Sequence, residues 1–155
     1  MTERSVTHST FVIERTYDAP PARVFAAWAS QEAKCQWFGS GLDSDNFREF
    51  DFRVGGRESW QGEVHGSTFS YDGTYQDIVQ DERIVYAYDM HMNDQRISVS
   101  LSTVELEAVD GGTHLTYTEQ GAFLDGLDEP AKREEGTQTL LDNLGKALAG
   151  EPVNA

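Results

Sequence analysis

A carboxylate and a set of phenols that recur at strand spacing offer the most chemistry in this chain. Leu115, Tyr117, Glu119 and Gly121 alternate along one stretch, and residues two apart share a strand face. Leu115 and Tyr117 mark that face as inward. Glu119 is therefore the candidate catalytic residue, because a desolvated carboxyl group is equipped for acid–base work. Arg96, at the start of the preceding strand, is placed to neutralise it instead, which would make the pair a structural one, and a shift of phase would leave Glu119 in water. Glu58 and Glu63 are lesser versions of the same case; they fall on opposite faces of one strand, so at most one points inward. Tyr86, Tyr88, Met90 and Met92 share a face, while Val85, Ala87, Asp89 and His91 take the other. By the same period, Trp60, Phe69, Tyr71, Tyr75, Tyr117 and Phe123 can join the first set. Such rings fill a core wherever a fold needs volume. Buried phenols also need hydrogen-bond partners, which a ligand or a trapped water provides.

Other chemistries find no support in the spacing. His8, His65, His91 and His114 are scattered, so no metal is expected. Gly55-Gly56 and Gly111-Gly112 read as hairpin glycines, and no phosphate-cradling glycine motif occurs. Cys35 has no evident histidine partner and reads as a small semi-buried side chain rather than a nucleophile. No cofactor is expected.

The frame that must hold these residues is small. At 155 residues the chain matches a prior of about 150 residues per domain, so one domain spanning 1–155 is expected, with its core at about 10–149. Lys plus Arg number 12 against 27 Asp plus Glu, a formal charge of −15. That balance argues against nucleic acid and anionic membranes as partners, since both require basic patches. A single cysteine excludes an internal disulfide framework. No run approaches the ~20 apolar residues of a membrane helix, and Met1 to Thr10 is polar, so a cytoplasmic location is expected.

The first strand is expected over Thr10 to Tyr17. Asp18 is the expected N-cap of a helix whose first turn takes Pro20 and Pro21. Ser30 caps a second short helix that ends near Trp37-Phe38, with Gly39 as its stop. Strands follow around Asn46 to Phe52, Arg57 to Val64, Ser67 to Val79, Arg83 to Met92, Arg96 to Ala108 and Thr113 to Phe123. Ile97, Val99 and Leu101 alternate on odd positions, but Val104, Leu106 and Ala108 alternate on even ones. That phase change predicts a β-bulge near Ser102-Thr103. A last helix, capped by Asp128 and closed by Gly150, carries Leu140, Leu141, Leu144 and Leu148 as an apolar stripe. Gly136 is expected on the same sheet-facing side. This helix must cover one face of the sheet.

The order of elements resembles the α+β helix-grip fold of START and Bet v-type proteins, the SRPBCC superfamily. That fold is a curled antiparallel sheet of about seven strands over a long C-terminal helix, with two short helices after the first strand. Within it, the motifs resemble the family named after the activator of the heat-shock protein 90 ATPase. They run from Ile13-Glu14-Arg15 and Ala19-Pro20-Pro21-Ala22-Arg23-Val24-Phe25-Ala26-Ala27-Trp28 to Phe52-Arg53-Val54-Gly55-Gly56-Arg57. Glu82-Arg83-Ile84-Val85-Tyr86, Gly112-Thr113-His114-Leu115-Thr116 and Gln120-Gly121-Ala122-Phe123 continue them.

The resemblance implies a cavity between sheet and helix that takes apolar small molecules. An apolar or amphipathic ligand is the expected partner, bound by Trp60, Phe69, Tyr71, Tyr75, Tyr86, Tyr88, Met90, Arg96, Tyr117, Glu119, Leu140 and Leu144. Two alternatives stand beside it. One is a cyclase or dehydratase acting on a polyketide-like substrate through Glu119; the other is a chaperone-interacting module. An anionic ligand is disfavoured by the net charge unless Arg96 points inward. A homodimer is the expected assembly.

Overall fold

The computed structural model describes residues 3–38 and 46–151. Strand β1 (Val6–Tyr17) leads into helices α1 (Pro21–Ala29) and α2 (Gln31–Lys34). Strands β2 (Phe47–Phe50), β3 (Arg57–Val64), β4 (Ser67–Val79), β5 (Arg83–Met92), β6 (Gln95–Val109) and β7 (Gly112–Leu124) follow, and α3 (Pro130–Leu148) closes the order. All seven strands form one antiparallel sheet in the order β1-β7-β6-β5-β4-β3-β2. The sheet curls around α3, and the architecture is the helix-grip fold.

The turns follow from backbone chemistry. Gly66 and Gly111 sit at φ 82° and 72°, a left-handed conformation that glycine adopts without steric cost and that tight hairpins demand. Ser30 accepts a hydrogen bond from the Ala33 amide, as its capping role requires. Asp18 and Asp128 do not cap. Helix α1 begins at Pro21, so the N-cap is Pro20; α3 begins at Pro130, so the N-cap is Glu129, and neither makes a side-chain cap. In both cases the proline at the first helical position moves the cap one residue beyond the acidic side chain or further. Gly39, the expected stop, lies outside the described residues.

Strands β3, β4 and β5 occupy the expected spans, whereas β1 starts earlier, at Val6, and β2 is shorter than Asn46 to Phe52. The bulge is also elsewhere. Strands β6 and β7 pair without interruption through Ser102 and Thr103, and the register shifts instead between β5 and β6 at Met90/His91. Val99 and Leu101 accordingly face outward, 42% and 37% exposed, while Ser98, Ser100 and Ser102 are buried on the concave face. The odd-numbered apolar residues Val99 and Leu101 suggest the opposite phase. Polar partners inside the sheet reverse it, as described below.

Helix α3 lies across the concave face. Thr137, Leu141 and Leu144 are its buried residues together with Asn143, and Leu140 and Leu148 pack at the edge of the core. The Tyr17 hydroxyl donates to the Leu141 carbonyl at 2.7 Å, and Arg15 pairs with Asp142 at 2.8 Å, fixing the helix to β1. Gly136 faces solvent, not the sheet, and a Cβ there would meet nothing. Gly145 is the glycine used for close approach, since a Cβ would come 3.2 Å from the Tyr17 ring. No helix among the described residues is long and apolar enough to cross a membrane.

Candidate functional site

The alternation of β5, β6 and β7 puts Tyr88, Ser102, Tyr117 and Glu119 on one concave surface. Glu119 is 1% exposed. The Tyr88 hydroxyl lies 3.0 Å from both of its oxygens, the Tyr117 hydroxyl 3.0 Å and the Ser102 hydroxyl 3.2 Å from Oε1. Tyr117 also lies 2.9 Å from Ser102 Oγ, and the Tyr86 hydroxyl 3.3 Å from that of Tyr117. Every one of these groups can donate a hydrogen bond to the carboxylate.

The neutralising cation comes from the helix. Arg133 Nη1 donates to the Tyr88 hydroxyl at 3.0 Å and lies 3.4 Å from Glu119 Oε2, while Nη2 donates to Ser98 Oγ at 2.8 Å and to Asp128 Oδ2 at 2.9 Å. Burial works against the guanidinium charge, but Tyr88, Glu119 and Asp128 outweigh it and hold the Arg133 pKa above its ordinary value. Arg96, expected in this role, sits on the outer face and pairs with Asp89 at 2.8 Å. The register shift at Met90/His91 turns the start of β6, so Arg96 does not follow the inward phase of Ser98.

A second carboxylate–phenol cluster lies further along the sheet. Glu58 accepts from the hydroxyls of Tyr71 and Tyr75 and from Lys34 Nζ at 2.8 and 2.9 Å. Of the two glutamates on β3, Glu58 is the buried one and Glu63 is exposed. Lys34 comes from α2, and the rings of Phe38, Trp28 and Tyr86 surround its ammonium at 4.8, 5.3 and 5.5 Å. Neither Lys34 nor Arg133 was singled out from sequence. Arg133 precedes Thr137 and Leu141 at four-residue steps, so its place on the buried stripe is legible; within the charged run Lys132-Arg133-Glu134-Glu135 it reads first as solvated. Lys34 gave no comparable signal.

Burial dominates the phenols of both clusters. It raises the pKa of Tyr71, Tyr75, Tyr86, Tyr88 and Tyr117, with Glu58 adding to the rise at Tyr71 and Tyr75 and Glu119 at Tyr88 and Tyr117. All five thus remain neutral hydrogen-bond donors at physiological pH. Of the other expected residues, Trp60 and Leu144 are buried, and Phe69, Met90 and Leu140 pack partly buried against the core. A pocket of about 290 Å³ lies elsewhere, over Asn46, Arg48, Gln61, Gly62, Glu63 and Thr68, and none of the residues expected to bind ligand lines it. No group of three or more His, Cys, Asp or Glu among the described residues is placed to hold a metal.

Residues 18–149 match the family described as activator of Hsp90 ATPase homolog 1-like proteins. The chain belongs to that family. The family is of SRPBCC type. A solved protein from Rhizobium leguminosarum is similar to this chain over nearly its whole length. The two are 46% identical, covering 97% of this chain and 100% of that one with a TM-score of 0.91. A protein from Rhizobium loti is 49% identical over 92% of this chain and 99% of its own, with a TM-score of 0.84. One from Chromobacterium violaceum is 25% identical over 90% and 96%, with a TM-score of 0.75. Comparison with curated proteins gave no match.

Proposed function

We propose that this Hsp90-activator-like domain binds an apolar or amphipathic small molecule between α3 and the concave sheet. The aromatic rings of β4 and β5 receive its apolar body, and the Glu119–Arg133 pole orients its polar end. One observation carries the reading: polar side chains from β5, β6, β7 and the start of α3 converge on one buried point. A core that only needs filling is stable with apolar residues there, because burying ions costs desolvation that pairing rarely exceeds. Binding sites, by contrast, are apolar concavities with a few converging polar groups. Binding is favoured over turnover because the lone pairs of Glu119 already accept from Tyr88, Tyr117 and Ser102.

The test uses the uncharged dye Nile red. Saturable emission enhancement on the full chain, displaced by neutral aromatic compounds and weakened in Tyr88→Ala, is the expected result. No saturable binding, or binding indifferent to Tyr88→Ala, overturns the reading and leaves these rings as core filling.

A further inference from the structure

Strand β6 presents three serines to the interior, and two of them are engaged. Ser98 Oγ accepts from Arg133, and Ser102 lies between Tyr117 and Glu119. Ser100, between them, is 3% exposed, and its hydroxyl has no hydrogen-bond partner. In register it faces Tyr88 on one side and Gly121 on the other. A Cβ at Gly121 would stand 2.8 Å from the Phe123 ring and 3.2 Å from Ser100 Oγ, so the glycine leaves room for both beside β7. A second interior donor is also unpaired: Trp28 Nε1, on a ring stacked over Tyr117 with centroids 6.5 Å apart. Buried polar groups of native proteins are nearly always paired, so the Ser100 hydroxyl calls for a hydrogen-bond partner from outside the protein chain.

We infer that the ligand of this interior is an uncharged aromatic carbonyl compound whose oxygen accepts from Ser100. The inference rests on the binding reading proposed above and narrows its ligand class. Charge separates a carbonyl from the other common acceptor, a carboxylate. The cation at this end of the interior, Arg133, already lies between Glu119 and Asp128. A ligand carboxylate would place a third negative group around one guanidinium, in a protein of net charge −15. A ketone oxygen accepts the same hydrogen bond without that repulsion.

Three probes share a ring system and differ at one end: methyl naphthyl ketone, isopropylnaphthalene and naphthoate. Each is titrated against Nile red bound to the full chain, at neutral pH. The ketone is expected to displace the dye at about tenfold lower concentration than either analogue, the scale of one well-made buried hydrogen bond. In Ser100→Ala the ketone should fall to the level of isopropylnaphthalene, which itself should not change. Ser100→Ala removes a hydroxyl that bonds to no protein group, so the variant should melt as the parent does. A ketone advantage that survives Ser100→Ala overturns the inference, as does naphthoate binding as tightly as the ketone. So does a bound dye that the ketone displaces no better than isopropylnaphthalene. Those three outcomes leave the binding reading intact, whereas a dye that never binds removes both.

Discussion

The Arg133 guanidinium lies 3.4 Å from the Glu119 carboxylate and 3.0 Å from the Tyr88 hydroxyl, so one side chain ties α3 to β5 and β7 at once. Its other nitrogen reaches Ser98 on β6 and Asp128 just before the helix. The first turn of α3 is therefore held by ionic hydrogen bonds, and its middle by Leu141 and Leu144. The two halves of the helix are fixed to the sheet by different forces and should answer differently to substitution.

Arg133→Met should destabilise the protein by about 3–5 kcal/mol, the cost of leaving a buried charge without its partner. Adding Glu119→Gln should recover part of that loss, because the fully buried carboxylate left behind is then neutral and only the part-exposed Asp128 stays charged. A double-mutant cycle in urea measures the recovery. Strictly additive losses would show that the two side chains do not interact in solution.

Leu144 sits in the apolar half and is 0% exposed. Leu144→Ala should cost roughly 2–5 kcal/mol, the range for a buried leucine. A loss under about 1 kcal/mol in denaturant titration would mean that α3 is peripheral to the core.

What the sequence made legible follows the same division of forces. The alternation of Tyr86, Tyr88 and Met90, and the Tyr117–Glu119 spacing, placed those residues on the inner face because apolar neighbours shared their phase. The phase of β6 is illegible in the sequence for the converse reason. Its inner face is Ser98, Ser100 and Ser102 and its outer face carries Val99 and Leu101, so hydrophobicity pointed the wrong way. Ser98 and Ser102 are inside because Arg133 and Glu119 are, and that pairing joins residues on α3 and β7 that no local window contains. Strand order alone puts Arg96 near Glu119 as an alternative partner, but the register shift at Met90/His91 carries it to Asp89 on the outer face.

The glycines of α3 separate local propensity from packing. A Cβ added at Gly136 would meet nothing within 4 Å, so Gly136→Ala should stabilise by about 0.5–1 kcal/mol through helix propensity alone. At Gly145 the new methyl would press on the Tyr17 ring at 3.2 Å, and the same gain should be cancelled. Thermal melting of the two variants decides it; equal shifts would show that Tyr17 yields freely.

The phenols make the sharpest prediction about pH. The chain has six tyrosines, and burial is the largest cause raising the pKa of each: Tyr17, Tyr71, Tyr75, Tyr86, Tyr88 and Tyr117. In the unfolded chain a phenol ionises near pH 10. Below that pH both states keep their protons, and the contribution of the buried phenols to stability is fully present. Above it the unfolded state releases protons that the folded state retains. The unfolded state then binds fewer protons, and stability falls as pH rises. Each protected phenol contributes a slope of about 1.4 kcal/mol per pH unit, so several together should give a steep alkaline transition. Tyrosinate absorbance should accordingly stay flat through pH 10 and then rise in one step that coincides with loss of the circular dichroism signal. A fraction of tyrosine titrating near pH 10 while the fold is intact would place at least one of these hydroxyls in water, and would remove it from the network around Glu58 or Glu119, or from its bond to α3.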